Sequence, residues 1–158
     1  MAPTAAAEGG PFAAYRPRRH RQWDVRLAIA AGGGLGSAAR YGVTLALPMR
    51  PGGFPWPTFL VNVTGSLLLG FLMVLVVDVR PPTRYVRPFW GVGILGGYTT
   101  FSAFVAELRG LTTSGHPAIT AVYGAASLSC GLAAVWTGVV VARAVASRPI
   151  RRMKGAFR

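Results

Sequence analysis

The sequence has little charge and hardly any acid. Of its 158 residues only 13% are charged and 52% are hydrophobic, whereas a soluble globular domain carries roughly 25% charged residues. Such a chain cannot cover its surface for water, which excludes an ordinary soluble domain. Four acidic residues stand against 17 Lys and Arg, a formal net charge of +13. One cysteine excludes an internal disulfide framework and any Cys-built zinc or iron–sulfur centre within one chain. The two histidines, His20 and His116, are far apart and have no carboxylate cluster beside them. The first 26 residues lack the long apolar core of a cleavable signal peptide. No internal repeat is evident.

Four apolar stretches are present, at about 27–47, 58–79, 89–108 and 119–145. Each is close to the roughly 20 residues that cross a bilayer as a helix. The connections PMRPGGFPWP, VRPPTRYVRP and LTTSGHPA are short and rich in Pro and Gly, which end helices in the ordinary way. The expected protein is an all-α integral membrane protein with four transmembrane helices over 27–145. A basic, disordered arm at 1–26 precedes them, and a basic tail at 146–158 follows. Four spans are too few for an inverted-repeat transporter in one chain.

Basic residues are distributed very unevenly. The arm, the second connection and the tail together with the adjoining Arg143 hold fourteen Lys and Arg; the opposite side holds two, Arg50 and Arg109. The positive-inside rule therefore places both termini in the cytoplasm of a multi-pass cell-membrane protein. The same excess is expected beside lipid headgroups rather than on nucleic acid, because no folded reader domain accompanies it.

Polar residues inside the spans need a reason, since an unsatisfied amide in hydrocarbon costs several kcal/mol. Thr58, Asn62 and Ser66 fall at i, i+4 and i+8, on one helix face. Asn62 suits either interhelical bonding or donation to an anion. Thr120, Tyr123 and Ser127 form a similar face in the fourth span, continued by Gly131 and Ala134; it suits helix packing or a polar path. Gly32 and Gly36 have the small-xxx-small spacing of a close helix contact. Arg40, seven residues before the outer end of the first span, either snorkels or concentrates anions at a vestibule mouth.

The third span, GVGILGGYTTFSAFVAELRG, has Gly96 and Gly97 followed by Tyr98, Thr99 and Thr100. These are poor helix formers, consistent either with a helix broken near mid-membrane or with a continuous helix bearing a packing notch. A break there is tolerated only inside protein or beside a cavity, and unwound carbonyls would suit a hard cation such as sodium. Phe101 and Phe104 share a face at i, i+3. They face lipid or core, or turn positive ring edges toward an anion. Glu107 reads as a capping or interfacial charge.

Taken together, GGYTTFSAF, VNVTGS and GxGSxxRY resemble the Fluc (CrcB-type) family of fluoride ion channels, over roughly 30–145. The resemblance implies a channel and not an enzyme, built as an antiparallel dimer with two fluoride pores and a structural sodium ion at the interface. It implies that backbone carbonyls of Gly96 and Thr99 hold the sodium. It assigns Phe101, Phe104 and Asn62 to the fluoride, Ser102, Tyr123 and Ser127 to a polar track, and Arg40 to the vestibule. Ala103 departs from a usual hydroxyl residue, Tyr98 from a usual Phe or Leu, and the track ends in Gly131 and Val135. The implied role is passive export of cytoplasmic fluoride, which lowers its toxicity.

Two other classes share parts of this pattern. A small multidrug-type exporter also has four short helices, but needs an acid in the first, which is absent here. A non-transporting scaffold subunit leaves the glycine pair and the Phe pair without a purpose. Finally, an antiparallel homodimer needs one sequence to insert both ways, which a fourteen-to-two charge bias opposes. A related subunit of opposite bias is therefore the expected partner.

Overall fold

A computed structural model describes residues 22–76 and 84–155, with 147–155 described by their backbone alone. The basic arm through residue 21, residues 77–83 of the second connection and residues 156–158 lie outside the described residues. The described residues are helical, with no strand among them: α1 (Trp23–Ala46), α2 (Trp56–Val74), a π-helical segment Arg87–Leu95 running into α3 (Gly96–Tyr98), α4 (Phe101–Thr113) and α5 (Pro117–Gly155). Three runs, Trp56–Val74, Arg87–Thr113 and Pro117–Ala146, are long and apolar enough to cross a membrane. The first of the four expected spans does not reach that apolarity, because α1 is rich in Gly and carries Asp24, Arg26 and Arg40. The fourth expected span was to stop at 145, yet α5 stays helical to Gly155, through most of the expected tail.

The helices form two glycine-lined pairs. In the first, α1 lies along the third run: a Cβ at Gly32 would stand 2.5 Å from Phe89 O, one at Gly36 would strike Ile94 O, and one at Gly97 would strike Gly33 O. Contacts advance in the same direction along both helices, so the pair is parallel. In the second, α2 lies along α5: a Cβ at Gly70 would strike Val135 O and one at Gly138 would strike Leu67 O. This pair is also parallel. Close backbone approach between small residues is the usual source of adhesion where lipid removes the hydrophobic drive between helices. The spacing of Gly32 and Gly36 thus marks a packing face.

Numbering falls along α2 as it rises along the third run. Thr64 meets Tyr98, Asn62 meets Thr100 and Thr58 meets Glu107, so the two run antiparallel and the topology is up-down-up-down. Gly115, at φ +80°, ends α4 in the left-handed conformation that frees His116 N–H for Leu111 O at 2.9 Å. Pro117 then opens α5 where no N–H is needed. Little of the apolar surface is covered: Leu128, Leu132 and Trp136 of α5 are each more than 60% exposed. A face of that kind fits lipid.

Candidate ion path

The third run is interrupted at one place. Tyr98 ends α3, Thr99 (φ −75°, ψ 158°) and Thr100 (φ −150°, ψ 119°) are extended, and α4 starts at Phe101. The β-branched side chains favour that conformation. Thr100 is also a good N-cap, its Oγ1 accepting from Ala103 N at 3.2 Å. Gly96 and Gly97, the first of the poor helix formers in this stretch, are themselves helical.

Every backbone polar group of this elbow has a partner. Thr99 N–H bonds Leu95 O at 3.0 Å, and Thr99 O accepts from Arg40 Nη1 of α1 at 3.4 Å. Asn62 of α2 takes both groups of Thr100: its Nδ2 donates to Thr100 O at 3.0 Å, and its Oδ1 accepts from Thr100 N at 2.9 Å. A continuous helix would give Thr100 N–H to Gly96 O; Asn62 takes it instead, and Gly96 is exposed. The amide retains one N–H beyond its bond to Thr100. Asn62 is therefore both interhelical glue and a residual donor. Tyr98 adds a second tie to α2: Thr64 Oγ1 donates to Leu60 O at 2.6 Å, so in its 3.0 Å contact with Tyr98 OH the tyrosine is the donor. Ser37 Oγ donates to Gly97 O at 3.4 Å.

The elbow separates two open cavities. One, of about 640 Å³, is lined by Arg40, Thr58, Thr100, Ser102 and Glu107 among others. The other, of about 340 Å³, is lined by Asn62, Ser66, Gly96, Thr99, Thr100 and Phe101. Phe101 is 77% exposed, its ring centroid 6.0 Å from that of Phe104. Phe104 also packs on Tyr123 at 5.2 Å. Ser102 Oγ lies 3.2 Å from Thr100 Oγ1.

Tyr123 is fully buried, and its hydroxyl donates to Glu107 Oε2 at 2.7 Å. Thr58 Oγ1 donates to the other oxygen, Oε1, at 2.6 Å. Glu107, read from sequence as a capping or interfacial charge, is instead held by two hydroxyls from two other helices. No local signal could have found this triad, because its members lie 49 and 16 residues apart. Ser127 Oγ is buried with no hydrogen-bond partner among the described residues. Thus the expected residues divide: Asn62, Gly96, Thr99 and Phe101 share one cavity, Arg40 and Ser102 the other, while Phe104, Tyr123 and Ser127 line neither.

The site is thus an interrupted helix whose backbone is held by side chains of two other helices, between two open cavities of a helical membrane protein. Residues 27–139 match the family described as CrcB-like protein, Camphor Resistance (CrcB), and this chain belongs to it. It is 43% identical over 145 residues to the fluoride-specific ion channel FluC 1 of Streptomyces coelicolor, covering 90% of this chain and 94% of that one. It is 43% identical over 130 residues to FluC 2 of Streptomyces avermitilis (80% and 82% covered). To FluC 2 of Nocardia farcinica it is 46% identical over 119 residues (75% and 85% covered). These relatives are named as channels, not enzymes.

Proposed function

We propose that this chain is a fluoride channel that passively exports cytoplasmic fluoride across the cell membrane, the reading carried by the exposed Phe101 ring beside the Asn62 amide at the elbow. A small anion leaving water must meet donors that are weak enough to release it again. Ring edges, one amide N–H and the orphan hydroxyl of Ser127 are donors of that kind; a bare guanidinium is not. Arg40 fits that distinction, since it spends part of its donor capacity on Thr99 O and otherwise draws anions toward the mouth of the path.

The functional unit we propose is an antiparallel dimer with the elbows near mid-membrane. Exposed Gly96 and Phe101 support it, because irregular backbone at that depth must be covered by protein. Sodium fits such an interface. Gly96 O has lost its helical N–H, and Thr99 O keeps a lone pair beyond its long bond to Arg40; carbonyl oxygens suit a hard cation. That ion would supply charge to join two elbows and is not carried through. With both termini cytoplasmic, the charge bias favours a related partner of opposite insertion, and Streptomyces avermitilis has relatives numbered both 2 and 3.

Fluoride efflux from proteoliposomes tests the activity, and none from this chain, alone or with a related subunit, would overturn it. Efflux should also fail when N-methylglucamine replaces sodium on both sides. For the partner, a single cysteine placed at either terminus of a Cys130→Ser chain should react with an impermeant reagent from one face only. Comparable labelling from both faces, or full efflux by the singly expressed chain, would remove the heterodimer.

A further inference from the structure

The start of α1 and the start of the third run meet at one end of the bundle. Asp24 joins them: Arg84 Nη2 is 2.6 Å from Asp24 Oδ1, and Tyr85 OH donates to Oδ2 at 2.7 Å. Around that tie lies an exposed edge of alternating arginine and aromatic side chains. Arg26 stacks over Trp23 at 5.1 Å from the ring centroid, and Arg84 over Tyr85 at 5.5 Å. Arg87 is exposed one turn before Trp90. Trp23, Tyr85 and Trp90 are themselves 64%, 45% and 51% exposed.

The charges of this edge are not neutralised from within. The Arg84–Asp24 contact is the single ion pair among the described residues, so Arg26 and Arg87 have no carboxylate partner there. The same end receives the last turns of α5, where residues 147–155 hold four basic residues and no acid. Tryptophan and tyrosine settle at the headgroup level of a bilayer. A stacked guanidinium keeps its outer N–H groups for a phosphate, which it can grip in bidentate fashion.

We propose that this edge is a docking surface for anionic phospholipid headgroups in the leaflet that the α1 start faces. The aromatic rings set the depth, and Arg26 and Arg87 take the phosphate and the net negative charge of the lipid. Arg84 stays committed to Asp24 and keeps the two helix starts together. This assignment does not depend on what the channel conducts.

Electron spin resonance of spin-labelled lipids, with the full chain reconstituted in phosphatidylcholine vesicles, reads the surface directly. Spin-labelled phosphatidylglycerol should be retained over phosphatidylcholine by about tenfold, and Arg26→Gln with Arg87→Gln should abolish most of that preference, since one basic residue near an anionic surface is worth about fivefold and two up to about thirtyfold. That pair of substitutions leaves the Arg84–Asp24 tie in place. Arg109→Gln, at the opposite end, should leave the preference unchanged and serves as the control for general charge loss. Equal retention of the two lipids by the unaltered chain would overturn the proposal, and so would an equal fall in the Arg109→Gln chain. Inorganic phosphate at millimolar concentration should not displace the lipid; if it does so fully, the edge is a free-anion site instead.

Discussion

The third run and α5 solve the same problem in opposite ways. Both are long and apolar enough to cross a bilayer. In α5 the backbone runs as an unbroken helix through the apolar stretch Pro117–Ala146, and no neighbouring side chain has to take over its backbone bonds there. The third run gives up its ladder at Thr99 and Thr100, and the lost bonds are remade by Asn62 from α2 and Arg40 from α1. A continuous helix thus needs only smooth, glycine-lined neighbours, while a broken one needs particular side chains on two others. The broken helix is where exposed polar groups, both cavities and the Phe pair collect, so irregular backbone and candidate function coincide.

The contrast is broken most severely at Asn62. Asn62→Ala leaves Thr100 N–H and Thr100 O without partners, and each orphaned group costs about 1–3 kcal/mol. Fluoride efflux should fall at least a hundredfold, and thermal stability of the detergent-solubilised protein should fall with it. Phe104→Ile acts on the same run without touching the elbow's hydrogen bonds. It removes a ring that packs against Tyr123, a near volume-conserving change that costs under about 1.5 kcal/mol. Efflux should collapse while assembly, followed by size-exclusion chromatography, persists. Unaltered efflux in both variants would remove these side chains from the path.

What could be read in advance follows from whether a signal is local. The i, i+4 spacing of Thr58 and Asn62 revealed a shared face, and that face does hold the third run, at Glu107 and at Thr100. The Gly32 and Gly36 spacing revealed a close contact because small residues serve little else on a membrane helix. Low helix propensity marked the whole stretch from Gly96 to Thr100 and did not say where within it the helix would open. Gly97 is small because Gly33 O lies against it. Extension falls instead on two threonines whose backbone is met by distant side chains, Asn62 at Thr100 and Arg40 at Thr99. Propensity reports where a helix is weak; only the third dimension reports what is offered in exchange. The Thr58–Glu107–Tyr123 triad was invisible for the same reason, since it joins three helices.

The continuous pair should respond more mildly and in a different currency. A Cβ at Gly138 would strike Leu67 O, so Gly138→Ala must push α5 away from α2. That overpacking costs about 1–3 kcal/mol. Gly124→Ala is the matched control, because its Cβ would meet Leu108 Cδ2 at an ordinary 3.7 Å. Melting temperature should drop for Gly138→Ala and hold for Gly124→Ala. Efflux per folded protein should stay within about twofold in both, since neither touches the elbow. A large loss of efflux with unchanged stability at Gly138 would mean that α5 does more than support the broken run.

The smallest effect belongs to the tie that joins the two helix starts. The Tyr85 hydroxyl above all holds the Asp24 carboxyl below the usual carboxylate range, against a desolvation that pushes the other way, with Arg84 and the Val25 N–H adding to the lowering. A carboxyl lowered in the folded state contributes its stability above the unfolded value, about 3.9, and loses it as pH falls through the folded one. The α1 start should therefore stay docked at neutral pH and come away from Tyr85 only below the ordinary carboxylate range. Asp24→Asn keeps the size, gives up the charge, and should make the docking independent of pH. Quenching of an environment-sensitive fluorophore at position 23, titrated from neutral pH downward, would record both curves. An unaltered curve for the Asn variant would assign the transition to some other acid. The elbow should be indifferent to that titration, because amide and guanidinium groups hold it without any carboxylate.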